Sequence, residues 1–403
     1  MADTLEINIA ETQAGSRAPV VMQVVPSLVS GGVERGTVEI AQALMSGGWQ
    51  SVVVSAGGPM VHELERAHAR HVTLPVDSKN PWVMYANIGR LSEVIQRFNV
   101  DIVHARSRAP AWSALAAARR TRRHFVTTFH NAYGAQSRLK RLYNSVMAKG
   151  ERVIAISDFV GEHVAEVYGV GPDRLRIIPR GVDINRFDPE HVGAERLITL
   201  SRQWRLPDGA FVLMLPGRLT RWKGHTVVID ALAMLGRTDI RCLFVGGGDL
   251  RYRRELEARA MRHGLGPVVQ MVDDCRDMPA AFMLADVVVS ASTEPEGFGR
   301  VIVEAQAMGR PVIATDHGGA RETVVPGRTG WLVPPGDARA LAEAISEAMK
   351  LGPEARIAHA ERAIEHVRRH FNAVSMAART LQVYDEVLFP APAPVTAAGA
   401  VLA

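Results

Sequence analysis

The chain has 403 residues, of which 47% are hydrophobic and 22% charged, and its formal net charge is +5. This length is enough for two domains with separate cores, and the composition is ordinary for a soluble globular protein. Two cysteines are too few for a disulfide framework, and without a run of about 18 apolar residues no membrane-spanning helix is predicted.

Alternating strands and helices follow a loose N-terminal arm. Residues 1–19 are polar and aperiodic, and they lack the basic and apolar segments of a secretory signal, so a cytoplasmic location is expected. Short apolar runs that alternate with helical periodicity then predict a parallel sheet covered by helices on both faces. The predicted strands of this first sheet are 20–25, 52–54, 72–75, 101–104, 125–129 and 153–156.

The same pattern restarts near residue 211 and predicts a second parallel sheet. Residues 188–209, which show little pattern, separate the two sheets. The chain is predicted to be helical from Ala338 nearly to Leu388, and the Pro- and Ala-rich tail 390–403 is expected to be disordered. The predicted strands of the second sheet are 211–215, 241–245, 268–272, 287–289 and 312–314. The fold class is therefore α/β, with two doubly wound, Rossmann-like domains that bind ligands at the carboxyl ends of their strands.

A basic block interrupts an otherwise mixed charge distribution. Residues 102–150 contain ten Lys or Arg residues and no Asp or Glu. Such a block favours an anionic partner, such as a lipid surface, a phosphorylated acceptor or nucleic acid. A basic face that is only solvated is the alternative.

Two features of the first domain are candidates for ligand contact. Gly31 and Gly32 follow the first strand, where glycines let the backbone approach a ligand and leave N–H groups free at the next helix. A tight turn that only packs helix on strand is the alternative. His130 ends the strand at 125–129 and can bond a hydroxyl or stabilise developing charge, although most single histidines have no catalytic role. His104, at another strand end, is a second candidate.

Arg218 and Lys223 lie just past the strand at 211–215. A diphosphate needs compact positive charge near its bridging oxygens, and a strand-end Arg with a Lys at a helix start supplies it. The chain contains only five lysines, so a lysine here suggests that a point charge is needed. A surface pair beside a turn is the alternative.

Glu296 and Glu304, with seven residues between them, are the most informative pair. Glu296 lies in a loop broken by Gly and Pro, and Glu304 lies inside a run with helical periodicity. The loop residues 297–300 open this helix and present N–H groups and a positive dipole end to an anion. A carboxylate one turn further suits sugar hydroxyls better than phosphate, because like charges repel. Phosphate beside hydroxyls predicts a nucleotide-sugar, although a solvated pair of glutamates is the alternative.

Together these motifs resemble those of the family 4 (GT4-type) retaining glycosyltransferases, which have the GT-B fold. The two glutamates match the E-x7-E signature, and Arg218 and Lys223 match the G-R-x4-K-G diphosphate motif. Gly31-Gly32-Val33-Glu34-Arg35 is similar to the family's G-G-x-E-R loop, and His130 to a histidine near the transferred sugar. The matches cover about residues 20–385 in family order.

One segment departs from the family pattern. Arg180 stands where the P-N-G-V-D segment of the family has Asn, which puts a polar contact from this position in doubt.

The resemblance implies two domains that face each other across a cleft. Residues 20–195 would form the acceptor domain and residues 196–372 the nucleotide-sugar donor domain. A crossover helix at 373–389 would return to the first domain.

The resemblance also implies an activity. The enzyme would move a hexose from a nucleotide-diphosphate sugar, a UDP- or GDP-sugar, to a hydroxyl of a cell-surface glycan or lipid-linked acceptor, such as a lipopolysaccharide core or another polysaccharide precursor. Glu296 and His130 would be catalytic. The implied substrate-binding residues are Arg218, Lys223, Glu304, Gly31, Gly32, Gly297, Phe298, Gly299 and Arg300. No cofactor and no nucleic acid are expected.

A metal requirement is not predicted. No Asp-x-Asp triplet occurs, and no His/Cys/Asp cluster has metal-ligand spacing. The cationic side chains and the helix start are expected to neutralise the diphosphate instead.

Residues 137–149 raise the question of a membrane contact. Leu139, Leu142, Tyr143, Val146 and Met147 would share one face of a helix whose other positions are basic, which suits an anionic bilayer at the cytoplasmic face of the inner membrane. A helix whose apolar face packs on the sheet is the alternative.

Two other functions remain open on the sequence alone. One is another GT-B enzyme, such as a nucleotide-sugar epimerase or a glycosyl phosphorylase, and the other is a nucleotide-binding adaptor without catalytic activity. The intact glutamate and Arg/Lys pairs argue against the adaptor.

Overall fold

A computed structural model of the protein describes residues 17–29, 31–134, 137–273 and 275–390. Most of the predicted arm and the tail after residue 390 lie outside these ranges. No helix within them is long and apolar enough to cross a membrane.

The first sheet has seven parallel strands in the order β3-β2-β1-β4-β5-β6-β7. They are β1 (Val20–Val24), β2 (Gln50–Ser55), β3 (Arg70–Thr73), β4 (Ile102–Ala105), β5 (His124–Phe129), β6 (Arg152–Ala155) and β7 (Leu175–Ile177). Its helices are α1 (Gly32–Ser46), α2 (Val61–Arg66), α3 (Pro81–Arg97), α4 (Arg108–Thr121), α5 (Arg138–Asn144) and α6 (Asp158–Tyr168).

The second sheet has six parallel strands in the order β10-β9-β8-β11-β12-β13. They are β8 (Phe211–Pro216), β9 (Ile240–Val245), β10 (Val269–Val272), β11 (Val287–Ser290), β12 (Val312–Thr315) and β13 (Gly330–Val333). The helices are α7 (Ala194–Gln203), α8 (His225–Leu235), α9 (Leu250–Arg262), α10 (Met278–Leu284), α11 (Arg300–Ala307), α12 (Ala320–Thr323), α13 (Ala338–Met349), α14 (Pro353–His370) and α15 (Ala373–Leu388).

The strand order confirms the predicted fold class. In each sheet the order reverses once, between β1 and β4 and between β8 and β11. At such a reversal the following helices leave on opposite faces, and a crevice opens at the carboxyl ends of the strands. Strands buried on both faces need continuous apolar runs, which is why β1 and β11 read Val-Val-Met-Gln-Val and Val-Val-Val-Ser.

The chain crosses between the domains twice at one place. Val182 N–H donates to Phe371 O at 2.8 Å, and Ala373 N–H donates to Val182 O at 3.0 Å. A Cβ added to Gly181 would lie 2.4 Å from Ala373 Cα, so only glycine permits this approach. Helix α15 then packs against α1, and its buried Tyr384 lies against Trp49 of the first domain.

Three elements were not predicted, and each is short or lies at an edge. β7 and β13 have three and four residues at the edges of their sheets, which is too short for a clear apolar run. Helix α7 falls inside the stretch 188–209, because the helix is largely polar and only one of its residues, Leu200, is buried.

The prediction of one amphipathic helix over residues 137–149 was wrong. The α-helix ends at Asn144, whose side chain donates to Gly134 O at 3.1 Å, and a 3-10 turn, Ser145–Lys149, follows. This turn buries Val146 and Met147 in the core, whereas Leu139 is 80% exposed. The five apolar side chains therefore do not share one face.

Candidate active site

The carboxyl ends of the two sheets face each other at the junction between the domains. Ser157 Oγ, after β6, donates to Gly297 O at 2.6 Å, and a Cβ added to Gly297 would lie 2.8 Å from His130 O. Arg300 Nη2 lies 3.0 Å from Glu39 Oε1 of α1. The first-domain motifs therefore lie opposite the loop that carries Glu296.

Lys223 and Glu296 form an ion pair. Lys223 lies in a 3-10 turn after β8, Glu296 follows β11, and these strands are neighbours where the order reverses. Lys223 Nζ donates to Glu296 Oε1 at 2.7 Å, and the side chains are only 15% and 20% exposed. Ser292 Oγ donates to the same carboxylate oxygen. Two residues selected from separate motifs thus share one contact, and the carboxylate fixes the position of the ammonium group.

Glu304 and Arg300 form a second pair, which extends to the other domain. Arg300 Nε donates to Glu304 Oε1 at 2.8 Å, one turn along α11. The same guanidinium reaches Glu39 of the first domain. Burial opposes the charge on Arg300, but Glu304 and Glu39 raise its pKa above the ordinary value. This guanidinium therefore joins the two domains by charge.

The loop that opens α11 offers backbone donors. Gly299 has a φ of 82°, in the left-handed region that favours glycine. The N–H groups of Phe298, Gly299 and Arg300 donate no hydrogen bond to any residue in the described ranges. The Phe298 ring is buried against Phe371, with centroids 5.5 Å apart, so this residue offers its backbone rather than its ring.

The glycine pair after β1 lies opposite this loop. Gly31 has a φ of 134°, which only glycine adopts readily, and a Cβ added to Gly32 would lie 3.9 Å from Arg300 Cδ. The Glu34 carboxylate folds back over Gly31. Burial raises the pKa of Glu34, and arginine charges from both domains, including Arg218, act in the opposite direction. Arg218 itself is exposed and forms no ion pair within the described ranges.

His130 contacts a residue that sequence reasoning did not assign to the site. Arg180 Nη2 donates to His130 Nδ1 at 2.8 Å, whereas His130 Nε2 is buried and has no hydrogen-bond partner in the described ranges. Burial and the charge of Arg180 together hold the pKa of His130 well below its ordinary value. Position 180 therefore does make a polar contact, through Arg180 rather than the Asn of the family. The replacement of that Asn by Arg was the feature of the sequence that could have identified this residue.

His104 is in a structural position. Its Nδ1 lies 2.7 Å from Tyr384 Oη and its Nε2 lies 2.7 Å from Thr128 Oγ1, and the side chain is fully buried. Both ring nitrogens are occupied, so His104 connects α15 to the first sheet and is not free to bind a ligand.

His225 lies directly behind the Lys223 turn and was not predicted to matter. It is fully buried, with its ring edge-on to Phe244 at 4.9 Å between centroids. Neither ring nitrogen has a side-chain partner in the part of the chain that the structure describes. Burial, with a smaller effect of the Lys223 charge, lowers its pKa to about 4.

This pKa predicts a loss of stability in acid. The native state keeps His225 neutral, whereas the unfolded chain protonates it near pH 6.5. The contribution of His225 to the free energy of unfolding is therefore complete above that pH and is lost as the pH falls towards 4. Between pH 7 and pH 5 the loss should be about 2 kcal/mol in the free energy of unfolding. Urea denaturation should show that this difference shrinks in His225→Phe and persists in the exposed control His263→Phe. Equal losses in both variants would contradict the assignment.

Two family models match the chain. Residues 30–186 match Glycosyltransferase Family 4, and residues 198–369 match Glycosyl transferases group 1. The boundary between the two matches falls near the junction between the sheets.

Relatives and solved structures agree with these models. The chain is 30% identical over 318 residues to a D-inositol 3-phosphate glycosyltransferase of Xylanimonas cellulosilytica, covering 73% of each protein. A crystal structure of a glycosyltransferase from Rickettsia africae superposes with a TM-score of 0.85 and 38% identity, covering 93% of this chain and 100% of that one. Anabaena HepE in complex with UDP-glucose has a TM-score of 0.81 and 24% identity, covering 91% and 99%.

Coverage of the curated relatives varies. For other D-inositol 3-phosphate glycosyltransferases the match spans 57% of their length. The family models, the Xylanimonas relative and the two facing sheets nevertheless give one assignment: the chain belongs to the GT4-type glycosyltransferases with a GT-B fold.

Proposed function

We propose that the protein is a retaining, metal-independent hexosyltransferase. It transfers a hexose from a nucleotide-diphosphate sugar to a hydroxyl of a cell-surface glycan or lipid-linked acceptor. The observation that carries this proposal is the Lys223–Glu296 pair, which places an ammonium group and a carboxylate together at the carboxyl end of the second sheet.

The donor is proposed to lie mostly on the second domain. Lys223, the exposed Arg218 and the N–H groups at the start of α11 would together neutralise a diphosphate. These groups supply the positive charge without a metal ion, so we propose that none is required. The UDP-glucose complex of HepE supports a nucleotide-sugar donor for a protein of this fold.

The two glutamates are proposed to bind different sugars. Glu304 uses Oε1 for Arg300, which leaves Oε2 for the ribose hydroxyls. Glu296 uses Oε1 for Lys223 and Ser292, which leaves Oε2 for a hydroxyl of the transferred hexose. Each carboxylate is thus fixed through one oxygen and accepts hydrogen bonds through the other.

The proposed reaction takes place on one face of the sugar. The bond from the anomeric carbon to the diphosphate breaks as the bond to the acceptor oxygen forms, and the acceptor proton passes to the departing phosphate. Stabilising the charge that develops on the diphosphate is the main electrostatic contribution, and Lys223 is proposed to supply most of it. Closure of the domains around the donor would exclude water that otherwise hydrolyses it.

Thermal shift measurements test the donor site directly. We expect one nucleotide class among UDP, GDP, ADP and their hexose conjugates to raise the melting temperature by mass action, in EDTA as well as without it. Lys223→Ala and Glu304→Ala should abolish that shift, whereas Lys350→Ala, which lies in a different part of the second domain, should retain it. A shift that requires added metal would contradict metal independence. The absence of any shift would contradict the donor site.

A membrane contact is proposed for four exposed apolar side chains, here called the apolar cap: Trp82, Tyr85, Leu139 and Leu142. Trp82 is 83% exposed and Leu139 80%. The helices that carry these side chains, α3 and α5, both contact the same part of α4, through Ser113 Oγ to Met84 O and Trp112 Nε1 to Tyr143 O. Leu139 and Leu142 belong to the basic block 102–150, and Trp82 and Tyr85 lie on α3, which packs against α4 of that block. The cap therefore suits an anionic bilayer, which we propose to be the cytoplasmic face of the inner membrane.

Vesicle co-sedimentation tests the apolar cap. Trp82→Ser with Leu139→Ser should weaken binding to vesicles that contain phosphatidylglycerol by about tenfold, because apolar area and charge both contribute. The matched control is Met234→Ser with Met261→Ser, two exposed apolar residues of the second domain. Equal binding by the two double variants would contradict the membrane proposal and leave a soluble acceptor.

A further inference from the structure

Arg180 is buried at the domain junction without an acidic partner. Its side chain is 6% exposed, and within the described ranges no Asp or Glu lies at ion-pair distance. Its strongest contact is the donation from Nη2 to His130 Nδ1 at 2.8 Å, and Nη1 lies 4.0 Å from Met376 Sδ. A buried guanidinium without a carboxylate is costly, and the hydrogen bond to His130 offsets part of that cost.

Helix α1 leaves space for this guanidinium. A Cβ added to Gly36 would lie 1.9 Å from Arg180 Nη1 and 2.9 Å from Cζ. Glycine inside a helix costs about 0.5–1 kcal/mol relative to alanine, so its presence here needs a reason. The reason is that any larger side chain at position 36 would displace Arg180.

The contact determines which ring nitrogen of His130 carries the proton. A guanidinium only donates, so Nδ1 must be an unprotonated acceptor, and the neutral ring therefore has its proton on Nε2. Nε2 is buried and has no partner in the described ranges. A buried N–H without a partner costs about 1–3 kcal/mol, so this group is poised to donate to a ligand.

We infer that Arg180 is a positioning residue, which holds His130 as the neutral Nε2–H tautomer so that the ring donates a hydrogen bond to an oxygen of the transferred sugar. This inference rests on the proposed function for the identity of the ligand, but not for the tautomer. It also assigns His130 a role: with Nδ1 occupied and Nε2 protonated, the ring is a donor and does not remove the acceptor proton.

The surroundings of His130 favour the same state. The groups that act on the ring are Arg180, Arg106 and His104, and the backbone N–H of His130 faces Tyr133 Oη at 3.4 Å. No carboxylate is among these groups of the described ranges, and each of them disfavours the imidazolium ion.

Long-range proton–nitrogen NMR of protein labelled with ¹⁵N-histidine tests the tautomer without any substrate. The His130 signal is assigned by its loss in His130→Gln. We expect the neutral Nε2–H pattern from about pH 5.5 to pH 8.5, with no titration. A neutral Nδ1–H pattern, or an imidazolium near neutral pH, would overturn the inference.

Two variants remove the contact from opposite sides. Arg180→Met removes the donor and keeps an apolar chain, and Gly36→Ala displaces the guanidinium without touching His130. Both should give His130 a mixture of tautomers. Gly89→Ala, a glycine inside α3 with open space around its Cα, is the matched control and should leave the signal unchanged. If Arg180→Met and Gly36→Ala also leave it unchanged, Arg180 has only a packing role.

Kinetics provide the second readout. In both variants the turnover number should fall by about tenfold or more, as is typical when the partner that orients a functional histidine is removed, with the donor KM within about twofold. A higher KM with unchanged turnover would contradict the positioning role. If no nucleotide-sugar turns over in the wild type, the proposed function fails, and the NMR result still decides the tautomer.

Discussion

Glu296→Gln is expected to reduce nucleotide-sugar turnover by about 10²–10³-fold while nucleotide-diphosphate binding is retained or becomes tighter. The reason is the double role of the carboxylate. Its Oε1 holds Lys223 at 2.7 Å, and its second oxygen is proposed to orient the hexose. A neutral amide of the same shape keeps the space filled but orients the sugar poorly and attracts the ammonium group less.

Binding and turnover should therefore separate in this variant. A diphosphate competes with Glu296 for Lys223, so removing the carboxylate charge makes Lys223 more available to the phosphates. Lys223→Ala should lose both binding and turnover, because the charge itself is gone. Calorimetry of the free nucleotide diphosphate and a steady-state assay of its release measure the two quantities.

A neighbouring glutamate is the control. Glu294 lies two residues away in the same loop and is exposed. Glu294→Gln should change neither affinity nor turnover by more than about twofold, since it alters the charge of the loop without touching Lys223. Comparable losses in both variants would mean that loop charge, rather than the Glu296 contact, matters.

Gly224→Ala should be the most destabilising single-methyl change in the second domain, at about 3 kcal/mol. Gly224 has a φ of 74°, and a Cβ there would lie 1.8 Å from Ala291 O. That oxygen belongs to buried backbone after β11 and cannot move aside. To relieve the clash, either the Lys223 turn or the segment that carries Ser292 must move, so turnover should fall as well.

The other end of the same helix provides the control for strain. Gly236 ends α8 with a φ of 61° and has nothing within 4 Å of an added Cβ. Gly236→Ala should cost about 1 kcal/mol, the strain of a left-handed alanine alone. Urea denaturation measures the free energy of unfolding of both variants, and the difference between their losses is the cost of the steric clash. Equal losses would show that Ala291 yields more easily than the geometry indicates.

Periodicity and strand-end position explain why so much of the fold was predictable. The continuous apolar runs at 20–25 and 287–289 identified buried parallel strands, and ligand sites follow such strands by topology. The resemblance added the roles of Glu296 and Lys223, but neither motif alone predicts that the two side chains form an ion pair. That pairing depends on β8 and β11 being neighbours, which is a property of the sheet order.

The residues that were missed act through tertiary contacts. In the sequence, Arg180 is only a departure from the family pattern and His225 has no predicted role. The fold places Arg180 against His130 and Gly36, and it buries His225 behind Lys223. Residues 145–149 continued a helical pattern, but the core took up Val146 and Met147 and ended the helix early. In each case packing across long sequence separations overrode the local pattern.

Release of nucleotide diphosphate, followed by ³¹P NMR in EDTA, measures whether the site around Lys223 and Glu296 transfers a hexose without a metal ion. Wild-type protein incubated with UDP-, GDP- and ADP-hexoses, together with a lipid and polysaccharide extract that supplies acceptor hydroxyls, should release the diphosphate from one of these donor classes as the hexose passes to the acceptor. Glu296→Gln should release almost none. Release only after a divalent metal is added, or none from any of these donors by wild-type protein, would contradict a metal-independent transferase built on Lys223 and Glu296.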